Sequence, residues 1–259
     1  MTNLLPDIRY ALRLLIKSPG FALAAIVIMA LGIGANTAIF SVVNAVLLRP
    51  LPFEQPGQLV KLFETPPPES GLTATKYEIS PANYLDWRSQ NRVFDHMANF
   101  YPAYKYSLVG QGEPQSITTA TVSPDFFLTL RAKPILGRTF APGEEGPGRD
   151  NLVVLSQTFW QNQFGADPRI IGKDISLDGR ARTVIGVMPS SLQFPVATDP
   201  ASKVQVWVPL HWTDKDRANR GKRNYQAIAR LKPGVSVQQA QAQMNTLSAQ
   251  LARQFHHTL

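Results

Sequence analysis

The chain contains no cysteine among its 259 residues, which removes disulfides, thiolate nucleophiles and cysteine-held metals. Histidine is scarce. His96, His211, His256 and His257 are all there are, and their spacing forms no metal-ligand cluster. No H-E-x-x-H, G-x-S-x-G or G-x-x-x-x-G-K-[ST] occurs, so P-loop hydrolysis of ATP is excluded for this chain. Gly32-x-Gly34 lacks a third glycine, follows no strand and lies in an apolar run, so it is no dinucleotide fingerprint. Asp86 and Asp95 stand nine apart across an expected helix end, where caps or surface charges explain them. The expectation is a non-enzyme with no catalytic residues, no cofactor and no metal.

Charge is also missing from one long stretch. Phe21 to Leu48 contains no charged residue in 28 positions. At about 1.5 Å per residue that is roughly 42 Å of helix, against a hydrocarbon core of roughly 30 Å. A helix is the single-segment solution, because lipid offers backbone groups no water partner. The run is too long for the apolar region of a signal peptide, so it is expected to be retained. Before it, Leu4, Leu5, Ile8, Leu12 and Leu15 recur at helical spacing beside Arg9, Arg13 and Lys17. This pattern predicts a short amphipathic helix at the lipid surface, ended by Ser18-Pro19-Gly20. Those bases predict a cytoplasmic N-terminus and a domain on the far side.

The apolar run is not uniformly greasy. Gly32, Gly34 and Ala35 thin it, and Asn36, Thr37, Ser41 and Asn44 add polar groups. Thr37, Ser41 and Asn44 share a face by three- and four-residue spacing. Small and polar residues of this kind pack one membrane helix against another. Gly32, Gly34, Asn36, Thr37, Ser41 and Asn44 are therefore the candidate helix-packing residues.

Beyond residue 48 the chain has the length of an ordinary folded domain. The formal charge is +8 overall, but no lysine or arginine run is dense enough to make nucleic acid an expected partner. Strands are predicted at Leu59–Glu64, Tyr104–Val109, Gln115–Val122, Asn151–Leu155, Gln205–Val208 and Tyr225–Leu231. Asp178-Gly179 predicts a tight hairpin between Ile175–Leu177 and Thr183–Val187. Serines 80, 123, 156 and 236 stand where helix caps belong, and Gly165 suits a helix C-terminus. Phe140–Asp150, rich in glycine, proline and acid, predicts a mobile loop. Trp87, Trp160, Trp207 and Trp212 are expected in the core. Strands and helices intermix without regular βαβ spacing, so the fold class is α+β.

Several segments, in order, resemble one family. They include Asp7-Ile8-Arg9-Tyr10-Ala11-Leu12-Arg13, Ala30 to Asn44 (ALGIGANTAIFSVVN) and Leu48-Arg49-Pro50-Leu51-Pro52. Gly137-Arg138-Thr139-Phe140, Leu177-Asp178-Gly179, Val184-Ile185-Gly186-Val187-Met188-Pro189 and Ala229 to Val235 (ARLKPGV) continue the register. Together they resemble MacB-like permeases of ABC transporters, within the FtsX-like group, and most of all the orphan permeases duplicated in acidobacteria. The resemblance implies a periplasmic α+β region with two interleaved sub-domains. It implies 1–18 as a cytoplasmic juxtamembrane helix, 19–48 as a transmembrane helix and 49–259 as the core domain, in a bacterial inner membrane. It also implies a permease component, or a fragment of one, of an export or mechanotransmission system. The implied partners are a cytoplasmic ABC ATPase, a second permease copy or remaining permease half, a periplasmic partner protein and membrane lipid. The alternative is a membrane-anchored periplasmic binding or scaffold protein without transport.

Overall fold

The computed structural model describes residues 17, 19–43, 53–65, 76–110, 113–192 and 203–255. The chain divides into two units, Met1–Leu51 and Pro52–Leu259. The first is dominated by helix α1, Pro19–Val43. Its 25 residues make about 37 Å of helix, and the stretch Pro19–Thr37 is long and apolar enough to cross a membrane. Phe21, Ile28, Leu31 and Ile33 are all exposed along it. The expected amphipathic helix before it lies outside the described residues.

The second unit mixes strands and helices as the α+β expectation has it. In chain order it contains β1 (Leu59–Leu62), α2 (Pro81–Gln90), β2 (Phe94–Val109), β3 (Gln115–Val122) and α3 (Phe126–Leu130). Then follow β4 (Leu136–Gly137), β5 (Leu152–Ser156), α4 (Gln157–Phe164), β6 (Asp174–Leu177) and β7 (Arg180–Met188). The last elements are β8 (Val206–Pro209), α5 (Asp214–Arg217), β9 (Gln226–Leu231) and α6 (Val237–Gln254).

Local chemistry explains most of these boundaries. Ser80, Ser156 and Ser236 each accept a hydrogen bond from the backbone N–H three residues on, at the first turns of α2, α4 and α6. At α6, Gln239 returns the bond to Ser236 and completes a capping box. Asp178 and Gly179 both have positive φ, 50° and 74°, as a two-residue hairpin between β6 and β7 requires. Ser123 departs from the pattern. Its hydroxyl accepts from the Asn99 N–H across the sheet, and α3 has Asp125 at its N-cap position with no side-chain cap bond. Residues 140–150 contain no strand or helix but are tied down by an Arg138–Glu144 pair. Arg138 and an Ala141 N–H hold the Glu144 carboxyl below its ordinary value.

The nine strands form one sheet, in the order β1-β9-β2-β3-β8-β5-β7-β4. β6 pairs with both β7 and the far end of β2. These pairings close a ring of six strands, β2-β3-β8-β5-β7-β6. Leu108, Ile117, Val153, Leu155, Leu177 and Val206 belong to the one apolar cluster that fills it, with Phe159 of α4 in the same cluster. Outside the ring, β1 and β9 extend the sheet from the first part of β2. There α2 and α6 pack, burying Tyr84 and Trp87 with Ala240, Met244, Leu247 and Leu251. A third cluster joins the two regions through Phe100, Phe126, Phe127 and Trp207. The chain enters the helix-covered region, leaves it along β2 to build the ring, and returns through β9. That is the interleaving the sequence resemblance implies.

At the sheet edge, Gly137 pairs with Gly186. A Cβ on Gly186 would sit 2.0 Å from the Arg138 carbonyl oxygen, a contact that only backbone movement relieves. Gly186→Ala should therefore cost about 2 to 3 kcal/mol. Thermal melting checks this, with Gly221→Ala as a control, where a Cβ would meet only the Asn219 side-chain oxygen at an ordinary 3.8 Å and stability should change by less than about 0.5 kcal/mol.

Candidate functional site

The helix-packing residues expected from the sequence fall on α1. Gly32, Gly34, Asn36 and Thr37 are exposed on its surface, and nothing lies within 4 Å of a Cβ built at either glycine. Ser41 lies in the same helix, and Asn44 is outside the described residues. Asp86 and Asp95 do not meet. Asp86 pairs with Arg220, whereas Asp95 lies beside His96. Trp87, Trp207 and Trp212 are buried. Trp160 is half-buried, with its indole N–H donating to the Asp167 carbonyl. His256 and His257 are outside the described residues. Among the described residues no group of three or more His, Asp or Glu side chains is placed to hold a metal ion.

Two arrangements in the second unit were not foreseen, and both centre on a buried arginine. The first is a clamp near the start of the second unit. Arg230 on β9 is fully buried. Its Nε donates to the Thr129 carbonyl, and its Nη1 donates to the carbonyls of Glu54 and Gln55. Burial, with the nearby Arg131 charge second, holds its guanidinium below the ordinary arginine range. Arg131 adds side-chain bonds to the Glu54 carboxylate and the Gln55 amide oxygen, each 2.9 Å. Residues 54 and 55 are thus fixed to β9 and to the end of α3 through two guanidinium groups. Gln55 is held at φ 49° in doing so, a conformation that costs a non-glycine residue energy.

The second arrangement is a cleft of about 460 Å³ at one mouth of the strand ring. Cross-strand register shows which residues turn inward. Tyr106 stands opposite Ile117 and Arg182 opposite Ile175, and both isoleucines belong to the ring's apolar filling. Partners directly opposite share a face, so Tyr106 and Arg182 point inward too. Tyr104 and Tyr106 meet edge to face at 4.8 Å, and their hydroxyls lie 3.0 Å apart. Tyr101 continues the row. Burial pushes the Tyr104 phenol far above its usual range, so it stays a neutral donor.

Arg182 is only 6% exposed. Its Nη1 donates to the Asp150 carbonyl at 2.7 Å, while its Nε–H is buried without a partner. Arg180 and Lys222 line the same cleft, with Asp150 as its one acid. His211 closes another side, with Nδ1 2.8 Å from the Glu145 carbonyl. A carbonyl only accepts, so Nδ1 carries the hydrogen. Single positions on separate strands carry no sequence signal for such a cleft, because a buried arginine and an exposed one share a letter.

Comparison with known proteins places this architecture. The MacB-like periplasmic core domain matches residues 22–247, from within α1 to within α6. The chain belongs to this family. Membership makes it a component of the ABC-type permease class. The fold is also that of solved relatives at low identity. The periplasmic region of MacB from Actinobacillus actinomycetemcomitans aligns with a TM-score of 0.55 at 15% identity, covering 83% of this chain and 91% of that one. A domain of a putative permease from Porphyromonas gingivalis gives 0.56 at 16%, covering 80% and 87%. The extracellular domain of the noncanonic ABC-type transporter YknZ from Gram-positive bacteria gives 0.52 at 15%, covering 78% and 96%. No curated protein matches the chain.

Proposed function

We propose that this MacB-family chain is the permease component of an ABC-type export or mechanotransmission system, relaying movement from the membrane to a domain outside it. In this reading 1–18 is a cytoplasmic juxtamembrane helix, 19–48 spans the inner membrane, and 49–259 is the periplasmic core domain. Gly32, Gly34, Asn36, Thr37, Ser41 and Asn44 pack against helices of a second copy or of the remaining permease half. A cytoplasmic ABC ATPase supplies the energy, and the outer domain engages substrate or a periplasmic partner without covalent chemistry.

The clamp at residues 54 and 55 carries the reading. A displacement arriving at the membrane exit is delivered to Arg230, and so to β9, which pairs with both β1 and the first part of β2. A flexible tether would damp such a displacement; two guanidinium groups bonded to backbone and side chain pass it on.

The test is co-expression of the full chain with candidate ATPase and permease partners, followed by purification in detergent. Recovery of an ATPase with the chain is expected, with hydrogen exchange at residues 54–60 responding to ATP. Recovery of the chain alone from every pairing would overturn the transport role and leave the scaffold reading.

A further inference from the structure

The Tyr–Arg cleft lies about the mouth of a closed strand ring, a place where folds of this kind commonly hold small ligands. Its chemistry can be read group by group. Arg182 is a cation more than nine-tenths buried that makes no ion pair with a described carboxylate. One of its N–H groups is spent on a carbonyl and its Nε–H points at nothing. Burying a charge without a counter-ion, and a donor without an acceptor, are both costly. A bound anion would relieve both at once, because a guanidinium forms short, charge-assisted bonds to carboxylate or phosphate oxygens.

The surroundings reinforce the sign. Arg180 and Lys222 add two cations at the rim against the single carboxylate of Asp150, and Lys222 is shared with Asp216 at 3.5 Å. The walls specify more than charge. Tyr101, Tyr104 and Tyr106 form a row of rings in edge contact, and Tyr225 faces the cleft from β9's approach. Inorganic phosphate would satisfy the arginines and leave these faces against water. A planar ring beside the charge would cover them, since ring pairs add attraction beyond area. The Asn224 side-chain oxygen, also buried without a partner, offers an acceptor to a hydroxyl or amine on the same ligand.

We propose that this cleft is a binding site for a small organic anion whose carboxylate or phosphate sits next to an aromatic ring. The anionic group bonds Arg182 with help from Arg180 and Lys222, and the ring lies among the tyrosines. The proposal stands apart from the transport reading and does not need the chain's partners.

The probe is phenyl phosphate, titrated into the purified full chain in detergent by calorimetry. In parallel the arginine Nε–H signals are followed by nitrogen-edited NMR. Saturable one-site binding is expected, with the Arg182 Nε–H signal moving on saturation. Benzyl alcohol, with the ring but no charge, and inorganic phosphate, with charge but no ring, should each bind at least about tenfold more weakly. Arg180 and Lys222 are exposed, so an Arg180→Gln/Lys222→Gln double variant should keep its melting temperature and lose about tenfold in affinity. Absence of saturation, binding that ignores the double variant, or a still Arg182 signal would each overturn the proposal. Equal affinity for inorganic phosphate would overturn the assignment of an aromatic ligand.

Discussion

Arg230→Ala should lower the stability of the domain by about 4 to 5 kcal/mol and its melting temperature by roughly 10 to 15 °C. The carbonyls of Thr129 and Glu54 would lose their donor at once, and that of Gln55 would keep only the Gln58 N–H. Each buried acceptor left bare costs about 1 to 3 kcal/mol, and the vacated side-chain volume adds a cavity. The loss should also be local. Hydrogen exchange across residues 53–58 should accelerate well before the domain melts, because those residues depend on the guanidinium for their hold on β9. Arg230→Lys separates charge from shape: an ammonium keeps the positive charge but cannot span three acceptors with a rigid fork. It should lose roughly half as much as the alanine variant. If Arg230→Ala melts within a degree or two of the parent, the clamp carries no load and the mechanical argument loses its support.

The clamp also shows where sequence reasoning stops. Serine caps, the Asp178-Gly179 hairpin and the stripe on α6 are legible because each signal lies within a few residues of its effect. Ser80, Ser156, Ser236 and Gly165 each do what their neighbours in sequence suggest. Ser123 does not, because its hydroxyl serves Asn99 on another strand, a competing acceptor-donor match that only the sheet brings near. β2 is expected from Tyr104 but begins at Phe94. Its first half reads poorly as a strand because Asp95, His96 and the fully buried Asn99 interrupt the alternation of apolar residues. That half pairs with β9 and the second half with β3, so one strand serves two regions with different faces buried. The ring itself is closed by β6 meeting β2, Leu177 opposite Leu108, nearly seventy positions away along the chain. No local pattern announces such a contact. The cleft depends on that closure, which is why Arg182 reads from sequence as an ordinary base on a hairpin.

Glu64→Ala should cost about 4 kcal/mol, the second large effect expected of a single change. Glu64 is 5% exposed and fully used. One carboxylate oxygen accepts from the Ser80 N–H, the Ser80 hydroxyl and the Asn83 amide, at 2.7, 2.8 and 2.9 Å. The other accepts from Arg223 Nε at 2.6 Å. The residue therefore binds the segment after β1 to the first turn of α2, where a negative charge is also favoured by the helix dipole. Its removal strands a partly buried arginine and unsatisfied donors on Ser80 and Asn83. Glu64→Gln keeps the shape and the Ser80 bonds but turns an amide N–H₂ toward Arg223, or the reverse if it flips. It should fall between parent and alanine. A cycle with Arg223→Ala isolates the ion pair. The double variant should be more stable than the sum of the two single losses implies by about 2 kcal/mol, as expected of directly bonded partners in one network. Additivity within about 0.5 kcal/mol would mean the Glu64–Arg223 bond contributes little. Glu64's hold on α2 would then rest on Ser80 and Asn83.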